Sequence, residues 1–368
     1  MKFSSLKWLS LSRVLFTHEG VIEHLIAHCP LIEHLAVRHC SVYNHLSSEV
    51  PRVCRIYRVK SLFLCGLQKL KHVDVQGVQE VHVDSPNLEN LIYRPSNDSA
   101  PLKLNFDSCT NLRCLCICLS KSIDIGDKWF LELFSKFPFL ESLKLDNCSM
   151  SQSIHILSTQ LKVLELSHCS NLKEANIYAQ NLLSFIYRGI DQPAISFLRS
   201  SKQLEVKGYH CSLREFVQNI KPEKILASAS LFIYQSFPIE PKQGALRVSS
   251  IPPSIKAVEL LFTPENEALY FPYMSDLFSS CCPKSISFRL CSVADSKEFI
   301  EFFYEILMGK KEGKCHCSSS NTKCWWHALK IVKVTCSFKF DENTDLKSIL
   351  DALPKYSYDE KIAFMLEL

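Results

Sequence analysis

Glycine is scarce in this chain: 9 of 368 residues, too few for the Gly-rich loops that cradle phosphate groups. An excess of either charge is missing as well. The 42 basic and 38 acidic side chains are interspersed and leave a net charge of +4, which gives no electrostatic basis for nucleic-acid or anionic-membrane binding. No apolar run reaches the roughly 18 residues that a transmembrane helix needs, so none is expected. The phrases of common catalytic machinery, G-x-S-x-G, H-E-x-x-H, G-x-x-x-x-G-K-[ST] and C-G-x-C-W, do not occur. With no such motif to organise chemistry, an enzyme is not expected, and neither is a cofactor.

What is present is a repeated phrase. Leu140, Leu143, Leu145 and Cys148 fill the same slots as Leu161, Leu164, Leu166 and Cys169, about 21 residues later. The phrase reads L-x-x-L-x-L-x-x-C. Its second and third leucines are two apart, so on a strand they share one face and point into a core. The small, weakly polar cysteine fits beneath the turn that leaves the strand. One such unit cannot bury its apolar edge alone, so neighbours must stack. This is a leucine-rich-repeat signature, and it predicts an α/β solenoid: curved, with a parallel inner sheet and a mixed helix and strand convex side. The composition, 47% hydrophobic and 22% charged, is that of a folded chain.

The 18 cysteines read as reduced thiols. Cys40, Cys148 and Cys169 stand at repeat slots, and Cys114, Cys116 and Cys118 alternate along one strand at a spacing unsuited to bridging each other. They are read as strand residues with two faces. Such usage points to a cytoplasmic or nuclear location. The opening MKFSSLKWLSLSRVLF has a lysine and an apolar run, but Leu6, Leu9 and Leu11 already spell the repeat and no small-residue cleavage site follows.

Along the chain, a helix, a proline and then a strand recur: about 19–28 with Pro30 and then Ile32 to Cys40, residues 127–145 around Pro138, and residues 273–290 around Pro283. Proline stops the helix and biases its neighbour toward extended chain. Between these lie phrases about ten residues apart, such as Leu172 to Ile177 and Leu182 to Tyr187, too short to hold a helix, so extended chain is expected on the convex side there. Past Gly189 the phrase loosens. Strands are expected near 224–230 and at Trp326–Val334, a long loop over 234–253, an amphipathic helix at Ser296–Leu307, and a last helix near 346–353. One array over 1–368 is expected, with clear repeats over 1–190 and divergent ones over 191–368.

Several stretches carry a family resemblance: FSSLKWLSLSRV at the start, CPLIEHLAVRHC at 29–40, SPNLENLIY, APLKLNFDSCTNL, AQNLLSFIYRG, and CWWHALKIVKV at 324–334. With these, the chain resembles the leucine-rich-repeat part of plant F-box/LRR proteins. That resemblance implies a protein-recognition module, the substrate-binding region of an SCF ubiquitin-ligase adaptor. Its F-box of about 45 residues would engage a Skp1-type subunit. The chain opens already inside the repeats, so a Skp1-type partner is expected only with an F-box upstream. The alternative is a stand-alone repeat scaffold with no ligase link.

Candidate binding residues follow from the register, because side chains flanking the inward leucines face the concave side. Trp8, His34, Arg38, Phe63, Lys144, Asp146 and Glu165 are the ones expected to meet a target protein, since aromatics and Arg anchor interfaces. A second candidate is the group Cys315, Cys317, Cys324 and His327, whose soft and imidazole ligands suit zinc. Its C-x-C-x6-C-x2-H spacing matches no standard finger, and the competing reading is a loop leading into a strand whose Trp325 or Trp326 packs in the core.

Overall fold

The computed structural model describes residues 3, 5–44, 55–95, 103–118, 124–189, 191–201, 203–209, 213–233, 252–261, 267–290, 293–308, 325–336, 346–352 and 360–367. The chain divides into two compact units, Met1–Phe185 with Phe197–Lys202, and Ile186–Ser196 with Gln203–Leu368.

In the first unit seven five-residue strands stack in parallel: Trp8–Ser12, His34–Arg38, His72–Gln76, Asn90–Arg94, Cys114–Cys118, Ser142–Asp146 and Val163–Ser167. The expected register holds, with Leu143 opposite Leu164 and Leu145 opposite Leu166. All four are fully buried. Alternation of buried and open positions along His72–Gln76, Asn90–Arg94, Cys114–Cys118 and Ser142–Asp146 is the pleat itself: one face packs on the core and the other faces solvent.

Behind this sheet the layer is mixed. Helices Val21–Ala27 and Asp127–Lys136 occur where the connection is long. Elsewhere the connection is a second strand. Ser61–Cys65, Glu80–Asp84 and Lys103–Asn105 form a parallel sheet of their own, and Ser153–Leu157 pairs with Glu174–Ala179. The phrases ten residues apart are therefore half-repeats, a main-sheet strand followed by a back strand. This corrects the placement of Phe63, whose strand belongs to the back sheet and leaves the main-sheet face to other residues.

Three recurrent devices hold successive turns. The repeat cysteines lie buried under the turn and donate weakly to carbonyls, Cys148 Sγ to Asp146 O at 3.3 Å and Cys169 Sγ to Ser167 O at 3.4 Å. The residue just after each of several strands is left-handed: Arg13, His39, Gly77, Asn147 and His168 all have positive φ. The N–H groups of Arg13, His39, Gly77 and Asn147 continue the ladder, as from Asn147 to Ser167 O at 2.9 Å. Tyr93, in an inward slot, sends its hydroxyl to the carbonyls of Val78 and Gln79 at 3.1 and 2.8 Å, so a buried polar group is satisfied where it would otherwise cost stability.

The second unit repeats the same logic and then departs from it. Glu205–Tyr209, Ser230–Ile233, Ser254–Leu260 and Cys282–Leu290 are parallel. Glu360–Glu367 and Ile331–Cys336 then join antiparallel, a reversal the repeat pattern did not announce. Phe278, Phe288, Phe299, Phe303 and Phe364 are buried together with rings edge-on or tilted at 5–6 Å, the geometry their quadrupoles favour.

Helix Val293–Leu307 supplies the apolar face expected of it, with Phe299, Ile300 and Phe303 inaccessible. Two elements differ from expectation. Glu223–Ser228 is a 3-10 turn, because Pro222 opens it and Ser228 Oγ caps Ile225 O at 2.9 Å. Trp325–Ala328 is also a 3-10 turn and the strand begins at Ile331, because both indoles are drawn onto Phe278.

Candidate functional site: the solvent face of the main sheet

The open positions of the first unit's strands form three rows. At their start, Trp8, His34 and His72 stack, ring centroids 4.6 and 4.2 Å apart. Adjacent parallel strands lie about 4.8 Å apart, so equivalent rings on neighbouring strands are already at stacking distance. Burial and the neighbouring His34 both hold the His72 imidazole below its usual range.

In the next rows Arg38 clamps Asp74, Nε to Oδ2 at 2.8 Å and Nη2 to Oδ2 at 2.6 Å, and Gln76 donates to Asp74 Oδ1 at 3.0 Å. Lys144 pairs with Glu165 at 3.5 Å. His168 Nδ1 stands 2.8 Å from Asp146 Oδ1. Trp8, His34, Arg38, Lys144, Asp146 and Glu165 are thus all placed on this face, and Phe63 is not. Ala36 and Ser167 lie on the same face, two residues from His34, Arg38 and Glu165, but are covered by their neighbours.

Cys114, Cys116 and Cys118 line the centre of the same face, while Leu115 and Ile117 point inward. Together they occupy one face and not two, since residues two apart on a strand must share a side. Burial raises the pKa of all three thiols, the opposite of an activated nucleophile. Their short side chains leave this strip lower than the flanking Arg94 and Lys144.

A further file runs along the residues that immediately precede the strands: Lys7, Glu33, Lys71, Glu89, Arg113, Glu141 and Lys162. The sign alternates at every step. Lys7–Glu33, Arg113–Glu141 and Lys162–Glu141 close as ion pairs at 2.9, 3.0 and 2.9 Å. The hydrogen bond from Lys7 holds Glu33 below the usual carboxylate range, and that from Lys162 does the same for Glu141. Beside it, asparagines step from turn to turn: Asn87, Asn111 and Asn181 each donate to a carbonyl of the preceding turn, Gln68, Pro86 and Thr159, at 2.6–3.0 Å. Both files were readable in the sequence, as a charge before each strand and as Asn-Leu dipeptides, once the strands are aligned.

The zinc candidates Cys315, Cys317 and Cys324 lie outside the described residues. His327 is exposed on the turn that buries Trp326, and no group able to hold a metal occurs among the described residues. Nor is any described helix long and apolar enough to cross a membrane.

A large, mostly parallel sheet with few helices, built from a recurring leucine phrase, defines an α/β fold of the leucine-rich-repeat class. Residues 87–227 match the family model described as "At1g61320/AtMIF1, LRR domain", a plant leucine-rich-repeat family, which bears out the resemblance over that stretch. Domains of this class are typically non-enzymatic interaction modules. No curated protein and no solved structure matches the chain.

Proposed function

We propose that the chain is a protein-recognition module that binds a target protein on the solvent face of the main sheet, as the substrate-binding region of an F-box/LRR-type ubiquitin-ligase adaptor. It works by positioning and not by chemistry, as one curved solenoid in the cytoplasm or nucleus. The observation that supports it most is the face itself. Seven strands present a continuous surface on which Arg38, Lys144 and Glu165 are held by ion pairs and Asp146 by a hydrogen bond with His168, and Trp8 remains 64% exposed at its edge. Pre-ordered side chains lose less entropy on binding.

Charge reversal at Arg38 and Lys144 together, with the melting temperature monitored, tests the face. The partner set captured from plant extract and quantified against wild type should lose specific proteins while folding is retained. Unchanged capture by a folded variant would overturn the reading. Mapping the 5′ end of the native transcript tests the ligase link: an in-frame F-box upstream of Met1, and co-precipitation of a Skp1-type subunit, are expected. Capture of a defined partner without Skp1 would select the stand-alone scaffold.

A further inference from the structure

The alternating charge file is closed at both ends and open in the middle. Among the described residues Lys69, Lys71 and Glu89 form no ion pair, whereas Glu33 is taken by Lys7 and Glu141 by Arg113 and Lys162. At this gap the surface forms a groove of about 380 Å³ lined by Gln68, Lys69, Lys71, Asn87, Glu89, Asn111, Arg113 and Phe139. It lies where the parallel strands begin, off the face described above. Lys69 and Lys71 are uncommitted cations beside the uncommitted Glu89, and Arg113, which bonds Glu141 through Nη1 alone, adds a third positive group. The Asn87 and Asn111 amides are fixed by their bonds to Gln68 and Pro86, and Phe139 is 53% exposed at one end.

We propose that this groove docks an extended acidic segment of a protein partner. The spacing favours one conformation. Lys71 and Arg113 precede strands separated by one other, hence about 10 Å apart at the usual strand spacing. A polyproline-II segment returns to the same side every three residues, about 9.3 Å along, so carboxylates at i and i+3 meet Lys71 and the guanidinium N–H groups of Arg113 that its Nη1 bond to Glu141 leaves over. Lys69 adds a third cation, and Glu89, between Lys71 and Arg113, accepts a peptide N–H. Contiguous acidic residues repel one another and extend, which suits such a segment to the groove. The inference builds on the protein-recognition reading but assigns a separate surface and a partner chemistry.

Fluorescein-labelled hexaglutamate, followed by anisotropy at low salt, is the test. Wild-type protein should bind it and not hexalysine, with affinity falling as salt rises. Lys69→Glu with Lys71→Glu should weaken binding at least tenfold, and Glu89→Gln should strengthen it two- to threefold. Lys128→Glu with Lys173→Glu, exposed residues away from the groove, changes net charge equally and should leave most of the affinity. Circular dichroism checks that every variant folds. Failure of wild type to bind, or equal loss in both double variants, would overturn the groove assignment. Partner capture that still depends on Arg38 and Lys144 would leave the recognition reading standing in that case.

Discussion

At the scale of single residues, the repeat phrase assigns jobs that substitutions can separate. Leu143 and Leu164 are inaccessible, so Leu143→Asp or Leu164→Asp buries an unpaired carboxylate and is expected to cost upwards of about 4 kcal/mol. A melt of Leu164→Asp that overlays wild type would refute the register. Glycine is needed at Gly77 for two reasons. Its φ is +81° and an added Cβ would meet His39, at 3.2 Å from Nδ1 and 3.3 Å from Cα. Gly66 has φ +73° with open space around it. Gly77→Ala should therefore destabilise more than Gly66→Ala, which carries only the left-handed penalty of about 1–2 kcal/mol; chemical denaturation of the pair checks the order. Tyr187 donates to Asp191 O at 2.6 Å, and its oxygen would lie 2.5 Å from a Cβ at position 189. Tyr187→Phe should cost about 1 kcal/mol. The leucine slots were legible because inward positions recur every second residue. The tyrosine latch was not, since a tyrosine in an inward slot reads like any core aromatic until the carbonyls behind it are placed.

At the scale of elements, the charge file ties each strand start to its neighbour's, outside the buried leucine core. Glu141 sits between Arg113 and Lys162, all partly solvated, so each pair contributes well under 1 kcal/mol. Glu141→Lys sets three cations in a row and should lower stability by about 1 kcal/mol, an effect reduced by salt. Adding Arg113→Glu should recover part of it, and a double-mutant cycle at two salt concentrations measures the coupling. In the second unit Glu259 is buried at 7% exposure and clamped by Arg289 at 2.8 Å and Lys361 at 2.6 Å. Since that carboxylate joins three strands, Glu259→Ala should cost about 2–3 kcal/mol. Element order in the first unit was legible because leucine spacing and prolines mark strand starts and helix ends. Phe63 was misplaced because front and back strands carry the same alternation, and period alone cannot say which sheet a strand joins. The antiparallel end of the second unit was hidden for a similar reason: pairing direction depends on connections that hydrophobic pattern does not encode.

At the scale of the whole molecule, the titrating groups define a stability plateau with three edges. His72 has a folded pKa below its unfolded value near 6.5, so the folded state binds fewer protons there. Its neutral-form stability is complete above about pH 6.5 and is lost as pH falls through the lower folded value. Glu33, Glu141 and Glu205 are held down by Lys7, Lys162 and Lys256. Their contributions are complete above the carboxylate range and are lost only on further acidification. On the alkaline side burial raises Cys281, and it pushes Cys282 up to about 11. Because unfolded thiols ionise near 8.5–9, stability falls as pH rises past that point. Thermal melts under reducing conditions from pH 4 to 10.5 should show a maximum between about pH 7 and 8.5, with an acid limb in two steps. His72→Asn should remove the shallow step that begins near pH 6.5 and leave the steeper one below pH 5. Cys282→Ala should flatten part of the alkaline limb alone. If His72→Asn left the acid limb unchanged, the stacked His34–His72 pair would carry no proton-linked energy, and the first step would belong to another of the 13 histidines.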